Sequence, residues 1–115
     1  MRSLGFQKNW AKLSDPVFTT FRFPRKDSDR GRDWRVGETV QVVLHSRTPQ
    51  REVLFCAEII GKESTELGGI TDAEAVADGF PGGWSEMANW LTKTYGKLDL
   101  GKVINKLTLM RCKYE

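Results

Sequence analysis

The chain reads FTTFRFP at residues 18–24 and WRVGETVQV at residues 34–42. Phenylalanine and threonine suit the pleated surface of a β-strand, and Pro24 ends the first run because its ring nitrogen has no hydrogen to donate. The letters VGE at residues 36–38 are typical of a turn, and the alternation that follows predicts a second strand over residues 39–44. The stretch therefore predicts two strands of one sheet, joined by a loop.

This loop is strongly basic. Between residues 22 and 35 there are six Lys or Arg residues and three Asp residues. Positive charge beside a sheet edge attracts phosphate and other anionic groups. We therefore predict a site for an anionic ligand. The residues expected to bind are Thr20, Arg22, Arg25, Lys26, Trp34 and Arg35, with Trp90 from a later helix.

Two of these residues have a clear chemical reason to bind. Arg22 carries a planar set of donors that matches a phosphate or a base edge. Trp34 stands between two basic loop positions, as a ring that stacks on a base would. Each also has a structural alternative, because Arg22 can be a solvated charge at the rim and Trp34 can plug the loop onto the core.

Length and charge set the broad class of the protein. The 115 residues suit one domain, residues 1–115, with its own hydrophobic core. The net charge of +3 is unevenly spread, with +5 on residues 1–57, −6 on residues 58–90 and +4 on residues 91–115. The acidic middle segment leaves open a further function, a protein interaction domain that contacts a basic partner.

Cysteine and histidine usage argues against a metal centre. Cys56 and Cys112 lie in apolar strand-like runs, and His45 is the single histidine. A zinc site needs about four N or S ligands, so we expect no metal and no cofactor, and we expect thiols rather than a disulfide. Without a signal peptide or an apolar run of about 18 residues, the chain is expected to be cytoplasmic and to have no membrane partner.

Further elements follow from the spacing of apolar residues and from helix caps. Residues 3–13 admit a short helix, and residues 52–60 read as a buried strand. The letters TDAE at residues 71–74 form a capping box that predicts a helix over residues 72–78, ended by Gly79. A second helix is predicted from Trp84 to Tyr95, ended by Gly96. Residues 103–114 predict a last strand, with burial of Ile104, Leu107, Leu109 and Cys112.

The order strand, basic loop, two strands, two helices, strand resembles the ASCH domain family, a relative of the PUA domain. The matching motifs are Thr20-Phe21-Arg22, VGE at residues 36–38, and ITDAEA followed by DGF within residues 70–80. The resemblance covers roughly residues 4–113. It implies an α+β fold, a small mixed and mainly antiparallel β-barrel with two or three flanking helices.

The resemblance also implies two functions. One is RNA or nucleotide binding in a cleft between barrel and helices. The other is hydrolysis, because a subset of small bacterial members resembles amidohydrolases that remove the acetyl group from N4-acetylcytidine with a Lys, a Thr and a Glu. We take binding as the first hypothesis and a hydrolase acting on a modified nucleoside or on RNA as the alternative. In an enzyme, the resemblance assigns catalysis to Thr20 and Asp78.

The amidohydrolase pattern is incomplete in this sequence. The lysine expected three residues before Thr20 is Val17, its usual preceding glycine is replaced by Asp15, and the expected glutamate is Asp78. Valine cannot deprotonate a threonine hydroxyl, which is a weak nucleophile at neutral pH without a base. The substitution argues against hydrolysis by this route. A carboxylate at a helix end is unfavourable unless a cation such as Arg22 faces it, so an observed ion pair between Asp78 and Arg22 would support a polar cleft.

Overall fold

The computed structural model describes residues 2–24, 33–45 and 48–112. The predicted contacts of Arg25 and Lys26 lie outside these residues. The strands are β1 (Arg2–Phe6), β2 (Val17–Arg22), β3 (Thr39–Leu44), β4 (Glu52–Glu66) and β5 (Val103–Arg111). The helices are α1 (Asp72–Asp78) and α2 (Trp84–Tyr95), and short 3₁₀ helices span Ala11–Ser14 and Leu67–Gly69.

The five strands form one mixed sheet in the order β1-β3-β4-β5-β2. Strand β1 pairs with β3 in parallel, and the other three pairings are antiparallel. Strands β1 and β2 are the two edges and are not paired with each other across the described residues. The fold is therefore α+β with a mainly antiparallel sheet, and the sheet is open rather than a closed barrel.

The N-terminal segment begins as a strand, where the sequence pattern predicts a short helix. Leu4 and Phe6 are buried and alternate with less buried neighbours, which is the period of a strand. Strand β1 is held by parallel pairing with β3, from Arg2 opposite Val40 onward. Because this partner is distant in sequence, the local spacing of apolar residues does not predict the strand. The helical part of the segment is limited to the 3₁₀ turn at Ala11–Ser14.

Strand β4 continues past the predicted end at residue 60. Its register with β5 shifts between Ile59 and Gly61, and an irregularity of this kind bends a strand. Glycine suits this position, because a Cβ on Gly61 would lie 3.3 Å from the Cβ of Thr108. The extension carries the chain from the sheet to the helices.

Two hydrophobic clusters hold the fold together. The first packs against the sheet and consists of Leu4, Phe6, Leu13, Phe18, Trp34, Val40, Val42, Phe55, Ala57, Ile59, Leu107 and Leu109. The second lies under the helices and consists of Leu67, Ile70, Ala75, Phe80, Met87, Leu91 and Ile104. Trp10 is partly buried and packs against both clusters. Its ring therefore lies where the sheet and the helices meet.

Helix α1 has the predicted caps at both ends. The Thr71 hydroxyl accepts from the N–H of Glu74 at 3.1 Å, and the Glu74 carboxylate accepts from the N–H of Thr71 at 3.0 Å. The backbone hydrogen bond from Thr71 is the main cause that lowers the pKa of Glu74. Gly79 ends the helix with a φ of 117°, a conformation that favours glycine. A cap of this kind contributes about 1 kcal/mol.

Helix α2 also has the predicted bounds, and Gly96 follows it. Met87 and Leu91 are buried, as the apolar stripe predicts. Tyr95, at the end of the same stripe, is 62% exposed because it lies beyond the cluster that the helix covers.

Strand β5 has the predicted interior, and its residues that are buried as expected are Ile104, Leu107 and Leu109. Cys112 is only partly buried, because it follows the last residue of the strand. Its N–H donates to the carbonyl oxygen of Cys56 at 3.0 Å, so Cys112, just after β5, is a neighbour of Cys56 in β4. Neither cysteine is in a disulfide.

Candidate functional site

A cavity of about 130 Å³ opens between the sheet and the helices. The end of β1, the 3₁₀ turn, the second half of β2 and both helices contribute to its lining. Strand β2 supplies Thr20 and Arg22 together, because alternate residues of a strand point to the same side. Helix α1 supplies Asp78, its last residue.

Aromatic rings form much of the cavity wall. The centroids of Trp10, Phe80 and Trp90 lie 5.1 to 6.1 Å apart in tilted and edge contacts. Phe23 and Tyr95 make a further edge contact at 5.5 Å. Such walls suit a planar ligand, since aromatic faces stack on bases. Trp90 lies on the flank of the helical stripe, as predicted, and it lines this cavity.

The polar part of the cavity is built around a buried ion pair. The Nζ of Lys12 donates to Oδ1 of Asp78 at 2.7 Å and to the carbonyl oxygen of Thr19 at 2.8 Å. The two charged side chains are only 7% and 9% exposed. Asp78 ends α1, where the helix dipole disfavours a carboxylate, and Lys12 supplies the compensating cation. The cation that pairs with Asp78 is therefore Lys12 rather than Arg22.

Burial shifts the pKa of both members of this pair. Desolvation lowers the pKa of Lys12, and the attraction to Asp78 offsets part of that shift. Desolvation raises the pKa of Asp78, against the effects of Lys12 and of a hydrogen bond from the backbone of Phe21. Both shifts favour the neutral forms of the two groups.

Arg22 lies on the same strand face as Thr20. Its Nε donates to Oγ1 of Thr20 at 3.3 Å, and its guanidinium carbon lies 4.5 Å from the centroid of the Phe6 ring. Burial lowers the pKa of Arg22 to about 10, so the group remains charged at neutral pH. No carboxylate of the described residues lies within 4.0 Å of it. Its guanidinium is therefore available to a ligand.

Two other predicted binding residues lie outside the cavity. Trp34 is 4% exposed and belongs to the first cluster, with the guanidinium of Arg2 at 4.6 Å from the centroid of its ring. Arg35 is exposed and is not part of the cavity lining. The predicted site residues that the structure brings together are Thr20, Arg22, Asp78 and Trp90.

Sequence reasoning missed Lys12. It lies in a four-residue 3₁₀ helix that contains no motif, and its partner Asp78 comes 66 residues later. One signal in the sequence pointed to such a residue. A carboxylate is predicted at the end of a helix, and this position requires a cation from another part of the chain. The structure thus places a buried lysine in the same cavity as Thr20, although Val17 occupies the position where the family pattern has one.

The described residues contain no group of three His, Cys, Asp or Glu side chains that could hold a metal ion. In the same ranges, no helix combines the length and the apolar composition needed to cross a membrane. The chain was compared with models of protein families, with curated proteins and with solved structures, and none of them matches it. Functional assignment therefore rests on the geometry and chemistry of the cavity.

Proposed function

We propose that the chain binds a pyrimidine nucleotide, free or within an RNA strand, and that the base occupies the cavity. One observation carries this proposal: a carboxylate and two cations, Asp78, Lys12 and Arg22, line a cavity with aromatic walls. Proteins that read single-stranded RNA stack bases on aromatic rings and hydrogen-bond the exposed base edges. The cavity combines both elements.

The polar groups favour cytosine among the pyrimidines. Cytosine presents an amino group beside two acceptors, its ring nitrogen and its carbonyl oxygen. A carboxylate accepts from the amino group, and neighbouring cations donate to the acceptors. The carboxylate of Asp78 receives hydrogen bonds from Lys12 and from the backbone of Phe21, which leaves acceptor capacity, since its two oxygens offer about four sites.

Membership of the ASCH family and a half-open PUA-like barrel belong to the same proposal. The guanidinium of Arg22 on β2 covers the ring of Phe6 on β1, so side chains from the two edge strands touch. This contact supports a sheet that curls toward closure. The match at Asp78-Gly79-Phe80 is supported by its position, because it brings the carboxylate to Thr20 and Arg22 in one cavity.

Binding of cytidine tests the proposal, and tryptophan fluorescence is a suitable readout because Trp10 and Trp90 line the cavity. We expect cytidine to bind at least about tenfold more tightly than uridine, whose base presents a carbonyl oxygen toward the Asp78 carboxylate. Arg22→Gln should weaken cytidine binding by about tenfold or more, because a hydrogen bond to a charged group contributes about 1.5–3 kcal/mol.

Arg111→Gln is the matched control for this measurement. Arg111 also covers a phenylalanine ring from a β-strand, at 4.2 Å from the centroid of Phe55, and it does not line the cavity. The control should change cytidine affinity less than twofold. Equal losses in the two variants, or no binding of cytidine by the unaltered chain, would count against the proposal.

A second function is favoured by the presence of Lys12 and Thr20 in the same cavity. A lysine whose pKa is lowered by burial can act as a general base, which is the role that Val17 cannot fill. The second candidate is therefore hydrolysis of an N-acyl group on a cytosine amino nitrogen. The acylated base would occupy the same cavity. Hydrolysis would use the neutral form of Lys12, whereas binding of cytosine uses its cationic form.

The chemistry of this second candidate needs only the residues present. Neutral Lys12 takes the proton of the Thr20 hydroxyl while Oγ1 forms a bond to the acyl carbon. The C–N bond then breaks, and the leaving amine receives the proton from Lys12. Water cleaves the resulting ester and regenerates the threonine hydroxyl. Arg22, which donates to Oγ1 of Thr20, is placed to stabilise negative charge that develops on oxygen.

N4-acetylcytidine is the substrate that tests hydrolysis. We expect cytidine and acetate as products, measured by chromatography, with a loss of at least about 100-fold in rate for Thr20→Val. Lys12→Arg should also abolish turnover, because a guanidinium keeps the cation beside Asp78 but does not give up its proton. Thr19→Val makes the same chemical change one residue away and should leave the rate unchanged. Turnover that persists in Thr20→Val would contradict this mechanism.

A further inference from the structure

A second, larger hollow adjoins the cavity. It is open, measures about 830 Å³, and is bounded by β1, Trp34 and residues at the end of β3. The two spaces share several lining residues, among them Phe6, Arg22 and Tyr95. The cavity and the hollow therefore meet at Arg22.

The described lining of this hollow is cationic. Arg22 and Arg51 both line it, together with His45, and no Asp or Glu of the described residues does so. Arg51 is exposed, and its guanidinium has no hydrogen bond or ion pair among the described residues. Ser3 and Thr48 line the hollow as well.

Backbone contacts fix these residues against the end of β1. His45 has a φ of 52°, which is uncommon for a residue with a side chain, and its N–H donates to the carbonyl oxygen of Phe6 at 2.9 Å. Its own carbonyl oxygen accepts from the N–H and the hydroxyl of Thr48 at 3.1 and 3.0 Å. The N–H of Arg51 bonds to the carbonyl of Thr48, so the chain holds Arg51 near the hollow.

We infer that this hollow is a phosphate subsite and that the ligand is a nucleotide or an RNA strand rather than a free nucleoside. The inference rests on the proposed function, because it places the base in the adjoining cavity. Arg22 lies at the boundary of both spaces, and Arg51 supplies a second cation for the phosphate. An anion in the hollow would be attracted by these positive charges, and no carboxylate among the described lining residues would repel it.

The affinities of cytidine, cytidine 3′-monophosphate and cytidine 5′-monophosphate test the inference in calorimetry at fixed salt. We expect at least one monophosphate to bind about tenfold or more tightly than cytidine. Arg51→Gln should reduce that preference by about fivefold or more and leave the affinity for cytidine unchanged. Arg111→Gln removes the same charge elsewhere and should preserve the preference.

The outcomes separate this inference from the proposed function. Equal affinity for cytidine and both monophosphates would overturn the phosphate subsite while leaving base binding intact. A preference that survives Arg51→Gln unchanged would overturn the role of Arg51 and of the hollow. Absence of binding by all three compounds would overturn both proposals.

Discussion

Lys12→Met is expected to lower the free energy of unfolding by about 3–5 kcal/mol at neutral pH. The substitution leaves the carboxylate of Asp78 buried without its cation, and an unpaired buried charge is strongly unfavourable. Urea denaturation followed by circular dichroism measures the loss. Burial already raises the pKa of Asp78, and removal of Lys12 raises it further.

The sign of the pH dependence follows from that shift. A carboxyl whose pKa is higher in the folded state binds protons more readily there, so its contribution to stability is greatest below its unfolded pKa. That contribution is lost as the pH rises through the folded value. The deficit of Lys12→Met relative to the unaltered chain should therefore shrink from pH 7 toward pH 4.

Two further variants show whether the loss comes from the unpaired charge. Lys12→Met combined with Asp78→Asn removes both charges and keeps an acceptor oxygen for the backbone of Phe21, so it should recover at least about half of the loss. Lys106→Met breaks the more exposed pair with Glu74, at 3.1 Å, and should cost less than about 1 kcal/mol. Similar losses in Lys12→Met and Lys106→Met would contradict the assignment of a buried pair.

Gly79→Ala is expected to destabilise the fold by roughly 2–5 kcal/mol. One part of this cost is the positive φ of 117°, which disfavours a residue with a Cβ by about 1–2 kcal/mol. The other part is steric, because the new Cβ would lie 2.8 Å from Cε3 of Trp10. Overpacking of this kind adds about 1–3 kcal/mol. Denaturation followed by tryptophan fluorescence reports both the stability and the displaced ring.

Gly96 offers a matched control at the end of the other helix. It has a φ of 83°, but a Cβ there would meet no atom within 4 Å. Gly96→Ala should therefore show only the conformational cost of about 1–2 kcal/mol. Equal losses of stability in Gly79→Ala and Gly96→Ala would contradict a steric contribution from the close approach of Gly79 to Trp10. Cytidine binding should fall in Gly79→Ala alone, since Trp10 lines the cavity.

Local signals in the sequence were sufficient for the helices and for most strands. The capping box from Thr71 to Glu74 and the glycine at residue 79 are contacts within a few residues, so the pattern contains both partners. The buried stripe of α2 and the interior of β5 likewise repeat at short spacing. Strand β1 was missed because Leu4 and Phe6 supply too short an alternation, and the strand that pairs with them lies far along the chain.

The candidate site was predictable only in part, for the same physical reason. The sequence places Thr20 and Arg22 on one strand, and the resemblance to the ASCH family assigns Thr20 and Asp78 to a site. These residues lie close to Lys12 because a short turn packs against α1, and the spacing of residues along the sequence does not encode this packing. For Trp34 the sequence leaves two alternatives open, a stacking ring and a plug, and the packing of the ring in the first hydrophobic cluster favours the second.

The position of Trp10 links ligand occupancy to the integrity of the whole domain. The ring is part of the cavity wall and also packs against both hydrophobic clusters. A molecule stacked on Trp10 is therefore in contact with a residue on which the sheet and the helices both depend. Because such a molecule binds only the folded chain, occupancy protects both layers together, and the layers should resist heat as a single cooperative unit.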